Sequence, residues 1–218
     1  MNRTRLYHNT RISRLWISSL LCILAFAGIA ALVAANKEIG FDMAVITWIQ
    51  GLEGPVLTEA AKGFTFVGST SAVIVLCAVI LLFLYVVLRH RRELLLFMSV
   101  LLGTELWNLL LKHSFKRVRP DIHRLIEISG YSFPSGHSMA AFSLYGILTY
   151  LLWRHIPSAA GRVLLLAVSG AMILCIGLSR IYLGVHYPSD VLGGFLASCA
   201  WMLFAIGIYE LRNGRSAS

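Results

Sequence analysis

Val163–Tyr209 reads VLLLAVSGAMILCIGLSRIYLGVHYPSDVLGGFLASCAWMLFAIGIY. Two apolar runs, Val163–Leu178 and Ser189–Tyr209, are each about the length that crosses a bilayer as a helix, so this region belongs to a membrane protein. Between them Ser179–Asp190 brings Arg180, His186 and Asp190 to the membrane edge. Ionisable groups are costly beside lipid and are functional candidates there, although a lone border histidine also has a purely structural reading. Pro188 suits the first turn of the second run, where its missing N–H costs nothing.

The rest of the chain repeats the pattern. Of the 218 residues, 58% are hydrophobic and only 13% charged, with a mean hydropathy of +0.76. Further apolar runs cover about 15–35, 64–88, 94–111 and 135–153. The expected fold is therefore all-α: a polytopic integral membrane protein with six transmembrane helices, spanning 1–218 as one domain. The first run is long, lacks a small-x-small cleavage site and is followed by others, so it is not read as a signal peptide. Residues 1–14 form an arm or a surface helix. Within 36–63, Phe41, Val45, Ile46 and Ile49 recur at helical spacing beside Trp48, which suits a helix lying in the interface.

The net charge of +9 does not point to nucleic acid, because the basic residues are dispersed among connectors. Eleven of the 19 Lys/Arg fall in 1–14, 89–93, 154–162 and 210–218, which share one side if the runs alternate. The bias places that side, with both termini, in the cytoplasm. Cys22, Cys77, Cys175 and Cys199 all lie in apolar runs without metal-site spacing and read as small core residues.

Span parity brings three polar stretches to the opposite face: Lys112–Pro120, Pro134–His137 and Ser179–Asp190. Lys112, Arg119 and Arg180 make a cationic cluster suited to a phosphate, Arg as a rigid fork and Lys as a point charge. Ser135 and Gly136 offer N–H groups at a helix start, a natural phosphate seat. Asp190, four residues after His186, can hold one ring nitrogen and leave the other as a nucleophile. His137 is placed to protonate a departing oxygen. Metal ligation by the histidines is disfavoured by missing carboxylate ligands and by the three cations. Glu105, Asn108 and Lys112 share a helix face. Glu105 and Asn108 are expected to line the cleft, Glu105 alternatively holding a neighbouring span through a hydrogen bond. The small stripe Ser189, Gly193 and Ala197 allows close helix approach.

These motifs resemble those of the type 2 phosphatidic acid phosphatase (PAP2) superfamily of membrane lipid phosphatases. K-x6-RP corresponds to Lys112–Pro120, PSGH to Pro134–His137, and SR-x5-H-x3-D to Ser179–Asp190. The resemblance implies a PAP2-like bundle and a phosphohistidine on His186. Asp190 would orient that histidine, and His137 would act as acid and then base. Lys112, Arg119, Ser135, Gly136 and Arg180 would hold the phosphoryl oxygens. It implies no cofactor and no metal. The implied substrate is a phospholipid or polyprenyl phosphate in the bilayer. Phosphatidylglycerophosphate, as in the PgpB-type phosphatases, is placed first, with undecaprenyl pyrophosphate or phosphatidic acid as alternatives. Protein partners are not legible. A transporter of phosphorylated lipids is the non-enzyme alternative, but no repeat supports it.

Overall fold

A computed structural model describes residues 3–35, 39–88 and 91–215. Lys37 and Arg89, both counted among the Lys/Arg, lie outside the described residues. The elements are α1 (Arg3–Ala34), α2 (Gly40–Gln50), α3 (Pro55–Val67), α4 (Thr70–Phe83), α5 (Arg91–Phe115), α6 (Gly136–Leu152), α7 (Ala159–Tyr182) and α8 (Pro188–Arg215). A π-turn at Leu84–Leu88 extends α4, and a 3₁₀ turn at Trp153–His155 closes α6. The basic N-terminal stretch is continuous with α1 rather than a separate arm.

Six spans is not what this chain builds. Four helices among the described residues are long and apolar enough to cross a membrane: Asn9–Ala34, Arg92–Phe115, Ala159–Tyr182 and Pro188–Asn213. A fifth exists only if Pro55–Val67 and Thr70–Val86, bent by 55°, count as one broken span. The run at 64–88 misled because hydropathy does not register the break: α3 stops at Gly68, and Ser69 caps α4 by accepting from the Ala72 N–H. The run at 135–153 misled through length. Its helix α6 has 17 residues, roughly 25 Å at 1.5 Å per residue against a hydrocarbon core of about 30 Å.

What α6 lacks in length it has in burial. Ser138, Met139, Ala141, Ser143, Leu144, Ile147 and Leu151 all face inward. Its hydroxyls are satisfied by neighbours: Thr104 and Ser143 lie 2.6 Å apart across α5–α6, and Thr149 donates to Ser169 of α7 at 2.7 Å. The long helices α5 and α7 instead expose Leu95, Leu102, Leu106, Val163, Leu166 and Leu174, as lipid-facing helices do.

Close approach depends on small residues on α5 and α8. A Cβ at Gly103 would lie 2.3 Å from the Trp201 ring, whose Nε1–H donates to the Ser99 and Val100 carbonyls at 3.2 Å. Gly193 receives the edge of Phe133, and Gly194 lies against the backbone carbonyl of Ser135. The starts of α6 and α8 are tied by the Ser135 N–H, which donates to the Asp190 carbonyl at 3.0 Å. At the other end of the bundle the basic residues gather: Arg11 pairs with Glu210 at 3.1 Å, and Arg154 pairs with Glu93.

A Cβ at Gly194 would sit 2.9 Å from the Ser135 carbonyl oxygen, a backbone atom that cannot swing away. Gly194→Ala should therefore cost ~1–3 kcal/mol by overpacking, read as a lowered thermal midpoint in detergent.

Candidate active site

Four chain ends meet at one end of the bundle: the C-terminus of α5, the loop 116–135, the start of α6, and the α7–α8 connection. His186 lies in that connection, only 2% exposed, and Asp190 in the first turn of α8 is fully buried. The Asp190 Oδ2 lies 3.3 Å from His186 Nδ1 and accepts the Tyr187 N–H at 2.8 Å. On the opposite side of the ring, Arg119 Nη1 lies 3.0 Å from His186 Nε2 and donates to the Val185 carbonyl at 2.8 Å. Arginine has no acceptor, so Nε2 must carry the lone pair and Nδ1 the proton that faces Asp190. The tautomer follows from its two neighbours. Burial pushes the imidazole pKa down to about 4, aided by Arg119 and Arg180 and opposed by the hydrogen bond and charge of Asp190. The ring is neutral through the ordinary pH range.

Arg119 is held by carbonyls of the loop, donating to Gly130 at 2.9 Å, Tyr131 at 3.2 Å and Ser129 at 3.3 Å. Lys112, near the end of α5, donates to the same Tyr131 carbonyl at 3.1 Å. Arg180 is fully buried on α7, with Nη1 donating to Thr65 Oγ1 at 3.1 Å. Thr65 is held in turn by the Ser179 hydroxyl at 2.8 Å. Among the described residues the Nε and Nη2 of Arg180 have no partner. A buried guanidinium with two unmatched donors is built to receive acceptor oxygens.

Ser135 caps α6: its Oγ accepts from the Ser138 N–H at 3.4 Å and the Ser138 hydroxyl at 2.9 Å. Gly136 gives way to Asn108, whose Nδ2 would stand 2.8 Å from any Cβ placed there. Asn108 is buried, and its Oδ1 has no partner among the described residues. His137 packs toward Gly68 at the α3–α4 break and lies within the fields of Arg180, His186, Lys112 and Arg119. Glu105 is exposed on α5 and makes no hydrogen bond to a neighbouring helix among the described residues, whereas Asn108 one turn on is buried.

A second layer was not anticipated. Ser132 Oγ donates to Asp190 Oδ2 and stands 3.4 Å from His186 Nδ1. Arg117 Nη1 donates to Asp190 Oδ1 at 2.6 Å, and its Nη2 donates to Asp42 of α2 at 3.0 Å. Arg117 was legible only as one more loop cation. Asp42 and Thr65 carried no signal at all, being far along the chain from their partners. Among the described residues no three His, Cys, Asp or Glu side chains converge as metal ligands.

The PAP2 superfamily pattern matches residues 92–213. The chain belongs to the PAP2 superfamily. It is 35% identical over 175 residues to phosphatidylglycerophosphatase B of Bacillus subtilis, covering 79% of this chain and 85% of that one. It is 33% identical over 129 residues to a lipid A 1-phosphatase of Rhizobium johnstonii, covering 55% and 48%. The crystal structure of a transmembrane PAP2 type phosphatidylglycerolphosphate phosphatase from Bacillus subtilis superimposes with a TM-score of 0.76 at 30% identity, over 88% of this chain and 95% of that one. Aquifex aeolicus LpxE, at 23% identity and a TM-score of 0.65, shares the fold over 78% and 97%. The chain is a multi-pass membrane lipid phosphatase of PAP2 type, a phosphoric monoester hydrolase.

The contact of Gly136 with Asn108 can be tested directly. Gly136→Ala should reduce turnover about tenfold or more by displacing the Asn108 amide, since small misplacements are costly at a reacting centre. Adding Asn108→Ala should restore the melting temperature without restoring the rate.

Proposed function

We propose that the chain hydrolyses phosphatidylglycerophosphate to phosphatidylglycerol and inorganic phosphate through a phosphohistidine on His186. The observation that carries this reading is the ring of His186: Nδ1 turned to Asp190, and Nε2 unprotonated beside Arg119. In the first step the Nε2 lone pair forms a bond to phosphorus. The P–O bond to the lipid breaks, its electron pair leaves on the alkoxide, and His137 supplies that oxygen with a proton. In the second step His137 takes a proton from water, the hydroxide forms a bond to phosphorus, and the N–P pair returns to His186. Lys112, Arg119, Arg180 and the Gly136 N–H bind the three phosphoryl oxygens as charge spreads over them, the Ser135 N–H being engaged by the Asp190 carbonyl. Asp190 steadies the imidazolium-like charge formed on attack.

An amphiphilic substrate suits the surroundings. An apolar cleft of about 270 Å³ lies between α2, α3 and α7, walled by Trp48, Leu52, Leu57, Phe64 and Leu178, and it reaches Ser179. A tail can lie there while the head meets Arg180 one residue on. The site's end of the bundle is assigned to the extracytoplasmic face of the cell membrane and the termini to the cytoplasm, because the basic pairs collect at the opposite end.

Purified protein in detergent should release phosphate from short-chain phosphatidylglycerophosphate with EDTA present. His186→Ala should abolish release and Asp190→Ala should leave a trace. Release abolished by EDTA, or surviving in His186→Ala, overturns the reading. Undiminished Glu105→Gln turnover would remove that residue from the cleft. Attack needs the neutral ring of His186, so the acid limb of kcat/KM should lie near pH about 4.

A further inference from the structure

Asp190 is joined to a second buried carboxylate that lies outside the three motifs. Asp42 is 2% exposed in the first turn of α2. Its Oδ1 accepts the Ser189 N–H at 2.7 Å, and its Oδ2 accepts the Ser189 hydroxyl at 2.5 Å. The Ser189 N–H is one of the orphan donors at the start of α8, so a residue 147 positions away caps the helix that carries Asp190. Arg117 closes the arrangement. Its guanidinium lies over the Tyr187 ring with Cζ 4.0 Å from the centroid, and it donates to Ser189 Oγ at 2.7 Å as well as to both carboxylates. Two anions buried this deeply require a shared cation, and a fork with fixed geometry sets the direction in which each points.

We infer that Arg117 and Asp42 are positioning residues for the phosphatase reaction: Arg117 locks the Asp190 carboxylate against His186 and divides its charge between Asp190 and Asp42. The inference rests on the proposed roles of His186 and Asp190. Arg117 and Asp42 touch neither the phosphoryl seat nor His186. They act through Asp190 and the first turn of α8 that carries it.

The two residues should have distinct effects on the histidine. The charged groups facing His186 are Asp190 of α8, Arg119 of the loop, Arg180 of α7, His137 of α6 and Lys112 of α5, with Arg117 and Asp42 behind Asp190. Removing Arg117 leaves the two carboxylates uncompensated, which favours the protonated imidazole. The acid limb of the kcat/KM profile then moves to higher pH. Removing the charge of Asp42 gives Arg117 wholly to Asp190, so the limb stays or moves lower. A purely structural role would instead treat the two variants alike.

The experiment is the kcat and KM pH profile of full-length Arg117→Gln and Asp42→Asn in detergent on short-chain phosphatidic acid, with melting curves and His186→Ala alongside. In both variants kcat should fall about ten- to a hundredfold, as loss of positioning does, with KM little changed. The acid limb should rise by about half a pH unit or more in Arg117→Gln only, as loss of a nearby charge allows. A limb unmoved in Arg117→Gln, or raised in both, overturns the inference while leaving a dead His186→Ala and the proposed mechanism intact. Turnover by His186→Ala overturns the mechanism itself. If Arg117→Gln does not fold, Asp42→Asn decides: lower kcat with an unraised limb supports the inference, and a raised limb or an unchanged kcat overturns it.

Discussion

The carboxylate of Asp190 is the point on which this end of the molecule depends. It is wholly buried, yet it meets the Tyr187 N–H, the Ser132 hydroxyl, the Arg117 guanidinium and the imidazole of His186. A carboxylate removed from water must replace its hydration with donors. Those donors come from the loop 116–135 and the α7–α8 connection, so satisfying one anion draws those segments together. The backbone of the same residue extends the tie, because its carbonyl receives the N–H of Ser135 at the start of α6. The start of α6 is thus held by the same residue whose carboxylate faces the histidine.

The cations are arranged by the same economy. Arg119 spends its donors on loop carbonyls and on the His186 lone pair, so it is anchored whether or not a phosphate is present. Arg180 is different: one nitrogen is held by Thr65 and two donors are unmatched in a buried place. Preorganised donors of this kind cost no rearrangement when charge develops on a phosphoryl group. In the proposed mechanism both receive phosphoryl oxygens, Arg119 once its Nη1 leaves the His186 lone pair and Arg180 through donors already unmatched among the described residues.

The membrane constrains the remainder. Long apolar helices α1, α5, α7 and α8 meet lipid, while the short α6 packs against α5, α7 and α8 and uses hydroxyl pairs with α5 and α7. That shelter tolerates serines and threonines that a lipid-facing helix would leave unpaired. The break between α3 and α4 places Gly68 beside His137. A straight span there would have carried that backbone past the site.

The sequence by itself determined an all-α membrane protein and the identities of the motif residues. It could do so because these depend on near neighbours: apolar run length, and a histidine and aspartate four residues apart. Local patterns did not reveal the number of spans, since hydropathy averages over the bend at Gly68–Ser69 and does not weigh a 17-residue helix against bilayer thickness. Nor did they reveal Asp42, Thr65, Ser132 or the role of Arg117. Each of these works through a partner between 54 and 147 residues distant, brought near only when the bundle closes. Tertiary structure decided which charges are buried together, because desolvation and pairing depend on distance in space and not on position along the chain.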